Sequence, residues 1–277
     1  MEQLKSFLKL LLLFLWIVLC CLPAWVAKML GKMAWRDGTV RLCYLGVLRI
    51  IGVRLKINGQ LAEARPLLLV TNHVSYLDVA LLGSVAAVRF APKREVAGWP
   101  LIGAVCRLCD AVFIDRRPEK ISEMKQVMKA ALEKSVVCLF PESTTGNGLH
   151  LLPFKSGFFS LGEDRIGGHE LLVQPAAITY TRIRRLPIGS TEWPRIAWYG
   201  DMALLPHLLG MLRLGGIEVE LAFLPPLRLS ECGDRKQLAA ECHRVIAEGI
   251  AEVRDRRGEK PQKTQGSWRR LFLRLKS

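Results

Sequence analysis

Three short stretches of this 277-residue chain carry side chains suited to acid–base chemistry. The first is TNHVSYLD, in which His73 stands five residues before Asp78. On one continuous helix, at about 100° per residue, the two would point to different faces. A turn that hands over to a helix near Asp78 brings the carboxylate back to the imidazole. An aspartate that holds one ring nitrogen fixes the tautomer and raises the basicity of the other, which is what a base needs to take a proton from an alcohol. A histidine near a strand end is by itself more often structural, so the pair gains weight only in company. The second stretch is FPESTT, where Glu142 follows a proline and precedes the hydroxyls of Ser143, Thr144 and Thr145. Helix capping would explain a hydroxyl at 143 or 144, but not a glutamate after proline at a strand end. The third runs from Lys93 and Glu95 through Pro100 and Gly103 to Ile114, Asp115, Arg116 and Arg117. Its arginines are either surface charge or a fork for an anion.

These residues need a scaffold, and the surrounding pattern predicts one. PLLLVTNH, from Pro66 to His73, is a continuous apolar run with the look of a buried strand, and Asp78–Val88 reads as a helix with an acidic first turn. Asp110–Arg116 and Ser135–Glu142 are β-branched runs ending on charged residues. Between them, Ile121, Met124, Val127, Met128, Ala131 and Leu132 fall at helical spacing in a segment that starts with Pro118. Glu170–Tyr180, Arg195–Gly200 and Ile217–Pro225 add strands, and residues 235–253 a late helix. Strands alternating with helices predict an α/β fold, a mixed central sheet flanked by helices. Ligands gather where strand ends meet loops in such sheets, and three of the expected strands end in His73, Arg116 and Glu142.

Charge divides the chain further. Lys and Arg number 40 against 25 Asp and Glu, a formal charge of +15. Residues 1–56 hold nine cations and two acids, residues 254–277 hold the same, and the body between them is nearly neutral. Basic ends that also carry Leu, Trp and Phe fit an anionic membrane surface, whereas a nucleic-acid binder would concentrate cations on its folded reading surface. Leu10–Ala27 is an uncharged run of eighteen residues with Lys5 and Lys9 before it and Lys28 and Lys32 after it. That is the lower limit for a spanning helix, and Trp25 in the −3 position argues against signal cleavage after Ala27. It is read as a retained anchor that either spans or dips in and returns, with Val40–Leu55 as a second helix beside it. In the tail, Trp268, Leu271, Phe272 and Leu275 form one helical stripe among Arg269, Arg270, Arg274 and Lys276. The expected organisation is thus a membrane-associated helical segment (1–56), a catalytic domain (57–253) and a basic amphipathic tail (254–277). Eight cysteines are too few for a disulfide scaffold, and the lone Cys106-x-x-Cys109 lacks partners for zinc. No metal or nucleotide motif is present, and no cofactor is predicted.

Taken in order, the motifs resemble those of the glycerolipid acyltransferase superfamily, which includes the 1-acylglycerol-3-phosphate acyltransferases. Its N-H-x4-D block corresponds to Asn72, His73 and Asp78. Its K-x-E, P-x-x-G and I-D-R block corresponds to Lys93, Glu95, Pro100, Gly103, Ile114, Asp115 and Arg116. F-P-E-G-T-R corresponds to Phe140–Thr145, and the V-x-P strand to Val173 and Pro175. The matched span is about residues 66–180.

The resemblance implies that His73, oriented by Asp78, deprotonates the free hydroxyl of a lysolipid, which then attacks an acyl thioester. The donor would be acyl-CoA or acyl carrier protein. Arg116, with Lys93, would hold the acceptor's anionic headgroup, while Glu142, Ser143, Thr144 and Thr145 shape its pocket. The resemblance further implies a place at the cytoplasmic face of the inner membrane, with lipid and no nucleic acid as partner. Two positions depart from the family pattern: its glycine is Ser143 and its arginine Thr145. Relatives that acylate lyso-ornithine lipid resemble this chain in Thr144-Thr145 and in AWYGDMALLPHL, Ala197–Leu208. The favoured expectation is 1-acylglycerol-3-phosphate as acceptor, with lyso-ornithine lipid as the alternative. An inactive lipid-binding protein and a hydrolase are the readings of other classes, and the intact His73 and Asp78 speak against the first.

Overall fold

The computed structural model describes residues 2–115 and 117–258, and in it Glu2–Met29 form one apolar helix, α1. Gly31, at φ +68°, turns the chain into α2 (Met33–Ile51). α2 ends where Gly52, at φ +93°, turns its N–H back to the carbonyls of Leu48 and Arg49, a glycine C-cap. The chain then enters β1 (Val53–Asn58), so the expected boundary at residue 56 falls inside a strand. The second expected helix, Val40–Leu55, accordingly stops at Ile51.

The remaining elements follow as β2 (Leu67–Thr71), α3 (Leu77–Val85), β3 (Val88–Phe90), α4 (Ile102–Leu108), α5 (Ile121–Leu132) and β4 (Val136–Leu139). A small hairpin of β5 (Arg165–Ile166) and β6 (His169–Glu170) leads into β7 (Leu172–Ile183) and β8 (Leu186–Pro187). α6 (Leu204–Leu212), β9 (Ile217–Phe223), β10 (Leu227–Arg228), α7 (Leu229–Cys232) and α8 (Arg235–Gly258) complete the described chain. The central sheet runs β1–β9–β7–β2–β4–β3. β7, β2, β4 and β3 are mutually parallel, β9 is antiparallel to β7, and β1 is parallel to β9. This is the mixed α/β sheet that the alternation predicts. Leu68, Val70, Val137 and Leu139 pack on Met124 and Met128 of α5 and Leu238 of α8, while Leu69, Cys138 and Ile178 pack on Leu48, Leu77 and Leu81 of α2 and α3. The alternation of faces along a strand fixes both layers at once.

Two expected strands are not strands. Among the described residues of this stretch, Asp110–Asp115, only Ile114 forms a bridge, to Lys93, although Val112 and Ile114 donate to the carbonyls of Phe90 and Pro92. Asp110, at φ +52°, begins this stretch in a conformation that no strand can use. Arg195–Gly200 leaves a 3-10 turn at Ser190–Arg195 as an irregular segment in which Ile196 and Ala197 are fully buried. A buried apolar loop and a buried strand share the same short pattern.

Aromatic rings over glycines hold the α1–α2 hairpin together and seat it on the domain. Trp16 Nε1 donates to the Cys43 carbonyl at 3.0 Å and covers Gly46, and Tyr44 of α2 covers Gly83 of α3. Both ends of α1 are tied down. Lys9 Nζ reaches the Leu212 carbonyl at 3.2 Å, and Lys28 Nζ reaches the Arg107 carbonyl at 2.5 Å and Asp110 at 2.6 Å. Arg36 joins the same Asp110 and, with Arg89, Asp37. The outward side of α1, including Leu4, Phe7, Leu8, Leu11, Leu15 and Leu19, stays exposed. A Cβ on Gly83 would lie 2.3 Å from the Tyr44 ring, whereas one on Gly38 of α2 would meet nothing within 4 Å. Gly83→Val should therefore lower stability by about 1–3 kcal/mol through overpacking, and Gly38→Ala should raise it by about 0.5–1 kcal/mol. Thermal unfolding in detergent reads both, and an unchanged Tm in Gly83→Val would refute the ring-over-glycine contact.

Candidate active site

At the end of β2 the ladder to β7 is continued by a side chain. Backbone pairing stops at Thr71↔Ala176, and the Asn72 amide then takes both hydrogen bonds of Ile178, Nδ2 to its carbonyl at 2.9 Å and Oδ1 from its N–H at 2.8 Å. The Asn72 backbone is thereby released to turn, and His73 follows. Its N–H donates to Glu142 Oε1 at 2.6 Å and its carbonyl accepts from Gly146 at 2.8 Å, so the ends of β2 and β4 are tied together across it.

Asp78, fully buried in the first turn of α3, closes the loop. Its Oδ2 lies 2.8 Å from His73 Nδ1 and accepts the Val74 and Ser75 N–H groups at 2.7 and 2.9 Å, while Oδ1 accepts the Tyr180 hydroxyl at 2.7 Å. A carboxylate only accepts, so the ring proton sits on Nδ1 and the lone pair on Nε2. Burial and the neighbouring Asp78 charge push the Tyr180 phenol well up, which keeps it a donor. The imidazole stacks on Phe140, with ring centroids 3.8 Å apart and planes 14° apart, and Phe140 stacks on Phe90. The His73 side chain is 19% exposed, open enough for a reacting group. An imidazole held in this way can take a proton at Nε2.

Glu142 is buried, with Oε1 on the His73 N–H and Oε2 on the Leu152 N–H at 2.9 Å. Burial outweighs the two donors and pushes its carboxyl up to about 7. Ser143, at the position where the family has glycine, adopts φ +65°, the left-handed conformation that glycine enters freely. Thr144 is exposed and Thr145 half-buried. Lys93 is exposed three residues beyond Phe90, and Arg116 lies outside the described residues. Its neighbours Asp115 and Arg117 pair with each other at 2.6 Å. A cavity of about 430 Å³ opens beside the His73–Asp78 turn, lined by His73, Glu142, Thr179, Trp193, His243 and Arg254 among others. Arg254 of α8 lies over the Trp193 ring and donates to the Gly148 and Leu149 carbonyls. Among the described residues no group of three or more His, Cys, Asp or Glu is placed to hold a metal ion.

Ala197–Leu208 wraps the same turn. The Trp198 N–H donates to the Val74 carbonyl at 3.0 Å, and Tyr76 reaches His207 Nδ1 at 3.1 Å. Sequence reasoning brought out His73, Asp78, Glu142 and this segment, but not Tyr180 or the stacking role of Phe140. A tyrosine closing the expected buried strand Glu170–Tyr180 was the available signal, because a buried hydroxyl needs a partner.

Residues 53–179 match the family model described as acyltransferase. The chain is 37% identical over 213 residues to the lyso-ornithine lipid O-acyltransferase of Brucella abortus, covering 75% of this chain and 80% of that protein. The chain belongs to the glycerolipid acyltransferase superfamily. The turn from His73 to Asp78 lies wholly inside the matched residues. This acyltransferase is also 31% identical to the 1-acyl-sn-glycerol-3-phosphate acyltransferase of Neisseria meningitidis serogroup B, over 76% of this chain and 80% of that one. Its fold is similar to the crystal structure of the 1-acyl-sn-glycerophosphate acyltransferase PlsC from Thermotoga maritima, with TM-score 0.63 at 16% identity, covering 95% of this chain and 100% of that one.

The raised Glu142 has a measurable consequence. Unfolded, its carboxyl ionises near the ordinary value of about 4.3, while folded it keeps its proton to about 7. The native state therefore holds the extra proton across that window, and stability falls as pH rises through it. Glu142→Gln does not titrate, so the wild-type Tm should decline relative to the variant's between about pH 5 and pH 7. Parallel Tm profiles across that range would disprove the shift.

Proposed function

We propose that this acyltransferase of lysolipids uses His73 as its general base and lyso-ornithine lipid as its acceptor. The observation that carries the first half is the Asp78–His73 pair, which presents Nε2 as an acceptor. Nε2 takes the proton of the lysolipid hydroxyl, and the oxygen attacks the thioester carbonyl. The tetrahedral intermediate collapses to the new ester, and the departing sulfur takes the proton back from the imidazolium. Acyl-CoA or acyl carrier protein supplies the thioester.

The acceptor reading rests on Thr145 and on relatives. An ornithine headgroup carries a carboxylate and an ammonium, so it needs less positive charge than a phosphate monoester, and Thr145 stands where the family has arginine. The Brucella abortus relative and that of Rhizobium meliloti, 35% identical over 209 residues and covering 74% of this chain and 70% of that protein, both carry the lyso-ornithine name. Arg116 and Lys93 receive the headgroup carboxylate, and Glu142, Ser143, Thr144 and Thr145 bound its pocket. A 1-acylglycerol-3-phosphate acceptor is the second reading, favoured by the Neisseria meningitidis relative.

α1 is long and apolar enough to cross a membrane, yet both its ends are bonded to the domain. We infer that α1 and α2 enter the bilayer together as a hairpin at the cytoplasmic face, with the exposed side of α1 towards lipid. The tail at 266–277 lies outside the described residues, and its amphipathic stripe would add to this attachment.

His73→Ala should lower the rate of acyl transfer by about 10²–10⁴-fold while the circular dichroism spectrum of the fold is retained, and Asp78→Asn should be similarly severe. A loss well under tenfold in His73→Ala removes it as the base. Mixing purified enzyme with labelled acyl donor and each lysolipid identifies the acceptor. Thr145→Arg should shift use towards lysophosphatidate and Arg116→Ala should weaken acceptor use more than donor use. No shift in Thr145→Arg would remove the reason for preferring ornithine.

A further inference from the structure

Away from the catalytic turn, two adjoining cavities share Arg184 and Gly215. One, of about 460 Å³, is lined by Lys5, Ser6 and Lys9 of α1, Arg184, and Leu212 and Arg213 at the end of α6. The other, of about 280 Å³, is lined by Arg54, Arg184, Arg185 and Glu218 around a glycine-rich backbone. Among the described residues, six cations line the pair of cavities against one acid, Glu218, which Arg54 and Arg182 approach at 3.7 Å. Three of the cations are held by neutral oxygens. Lys9 donates to the Leu212 carbonyl, Arg184 to the Leu214 and Arg213 carbonyls at 2.8 Å each, and Arg213 to Ser6 Oγ at 3.3 Å. Such contacts orient a cation without cancelling its charge.

The turn that carries two of them is itself unusual. Arg184 and Arg185 are the two residues between paired Ile183 and Leu186, at φ +50° and +71°. A two-residue hairpin with positive φ at both positions ordinarily uses Asn-Gly, because glycine meets no Cβ penalty there. Side chains kept at backbone positions that disfavour them point to a use for the side chains.

The cradle lies beside the first turns of α1, where Leu4, Phe7, Leu8 and Leu11 are exposed by half or more. Cations at the end of an exposed apolar helix face match an amphiphile with an anionic head. An acidic protein would need a polar rim in place of that apolar one. We propose that this cradle binds the phosphate of an anionic membrane phospholipid, whose acyl chains lie along α1. The inference rests on α1 facing lipid and is independent of which lysolipid is acylated.

The test uses the full chain in maltoside micelles doped with dioctanoyl phosphatidylglycerol, dioctanoyl phosphatidylcholine or inorganic phosphate, with binding read by calorimetry. Wild type should bind phosphatidylglycerol about tenfold or more tightly than phosphatidylcholine or free phosphate. Arg184→Asn with Arg185→Gly restores the favoured turn residues and so keeps the fold, and losing two cations should weaken phosphatidylglycerol binding about thirtyfold. Lys9→Gln with Arg213→Gln should weaken it similarly, and acyl transfer in micelles should stay unchanged in both. Equal binding of phosphatidylglycerol by wild type and both variants overturns the proposal. So does free phosphate binding as tightly as the lipid, or loss in the variants of binding to an acidic carrier protein alone. Attachment of wild type to neutral phosphatidylcholine vesicles checks separately that α1 faces lipid.

Discussion

A buried, ionised carboxylate must be surrounded by donors, and Asp78 meets that demand with four: His73 Nδ1, the Val74 and Ser75 N–H groups and the Tyr180 hydroxyl. The four come from different levels of the fold. The imidazole and the two amides belong to the turn after β2, the carboxylate to the first turn of α3, and the phenol to β7. Satisfying one carboxylate thus fixes the junction of strand, turn and helix, and it fixes the tautomer of His73. The turn's outer boundary is set in the same way by Glu142, which binds the His73 and Leu152 amides from the end of β4.

Around this junction the sheet supplies position and the aromatic rings supply orientation. β2 is central and fully buried, so its end cannot drift, and the Asn72 amide keeps it against β7 as the backbone turns away. Phe140 gives the imidazole a flat wall on one side, backed by Phe90. Ala197–Leu208 closes the turn from outside through Trp198 and the Tyr76–His207 contact.

On the proposed membrane attachment, the hairpin of α1 and α2 would join this machinery to the lipid phase. Because α1 is bonded to the domain through Lys9 and Lys28 and α2 packs its Tyr44 ring over Gly83, the domain's height above a bilayer would follow from the hairpin's own depth. A fixed height would suit a reaction that joins a lysolipid held in a bilayer to a thioester arriving from water.

The sequence by itself determined the strands that are apolar throughout, the helices with a clear 3.6-residue period, and the His73–Asp78, Glu142 and Asn72 motifs, because local pattern and residue chemistry suffice for those. It misled at Asp110–Arg116 and Arg195–Gly200, where short apolar runs are buried as irregular chain rather than strand. It left Val53–Asn58 hidden behind a helical run, since only pairing with β9, more than 150 residues away, makes it a strand. Tyr180 as a partner of Asp78, the Phe140 stack and the gathering of Lys9, Arg54, Arg184 and Arg213 into one cradle were likewise invisible in sequence. Each depends on contacts between residues remote along the chain, and tertiary packing alone decides which of those meet.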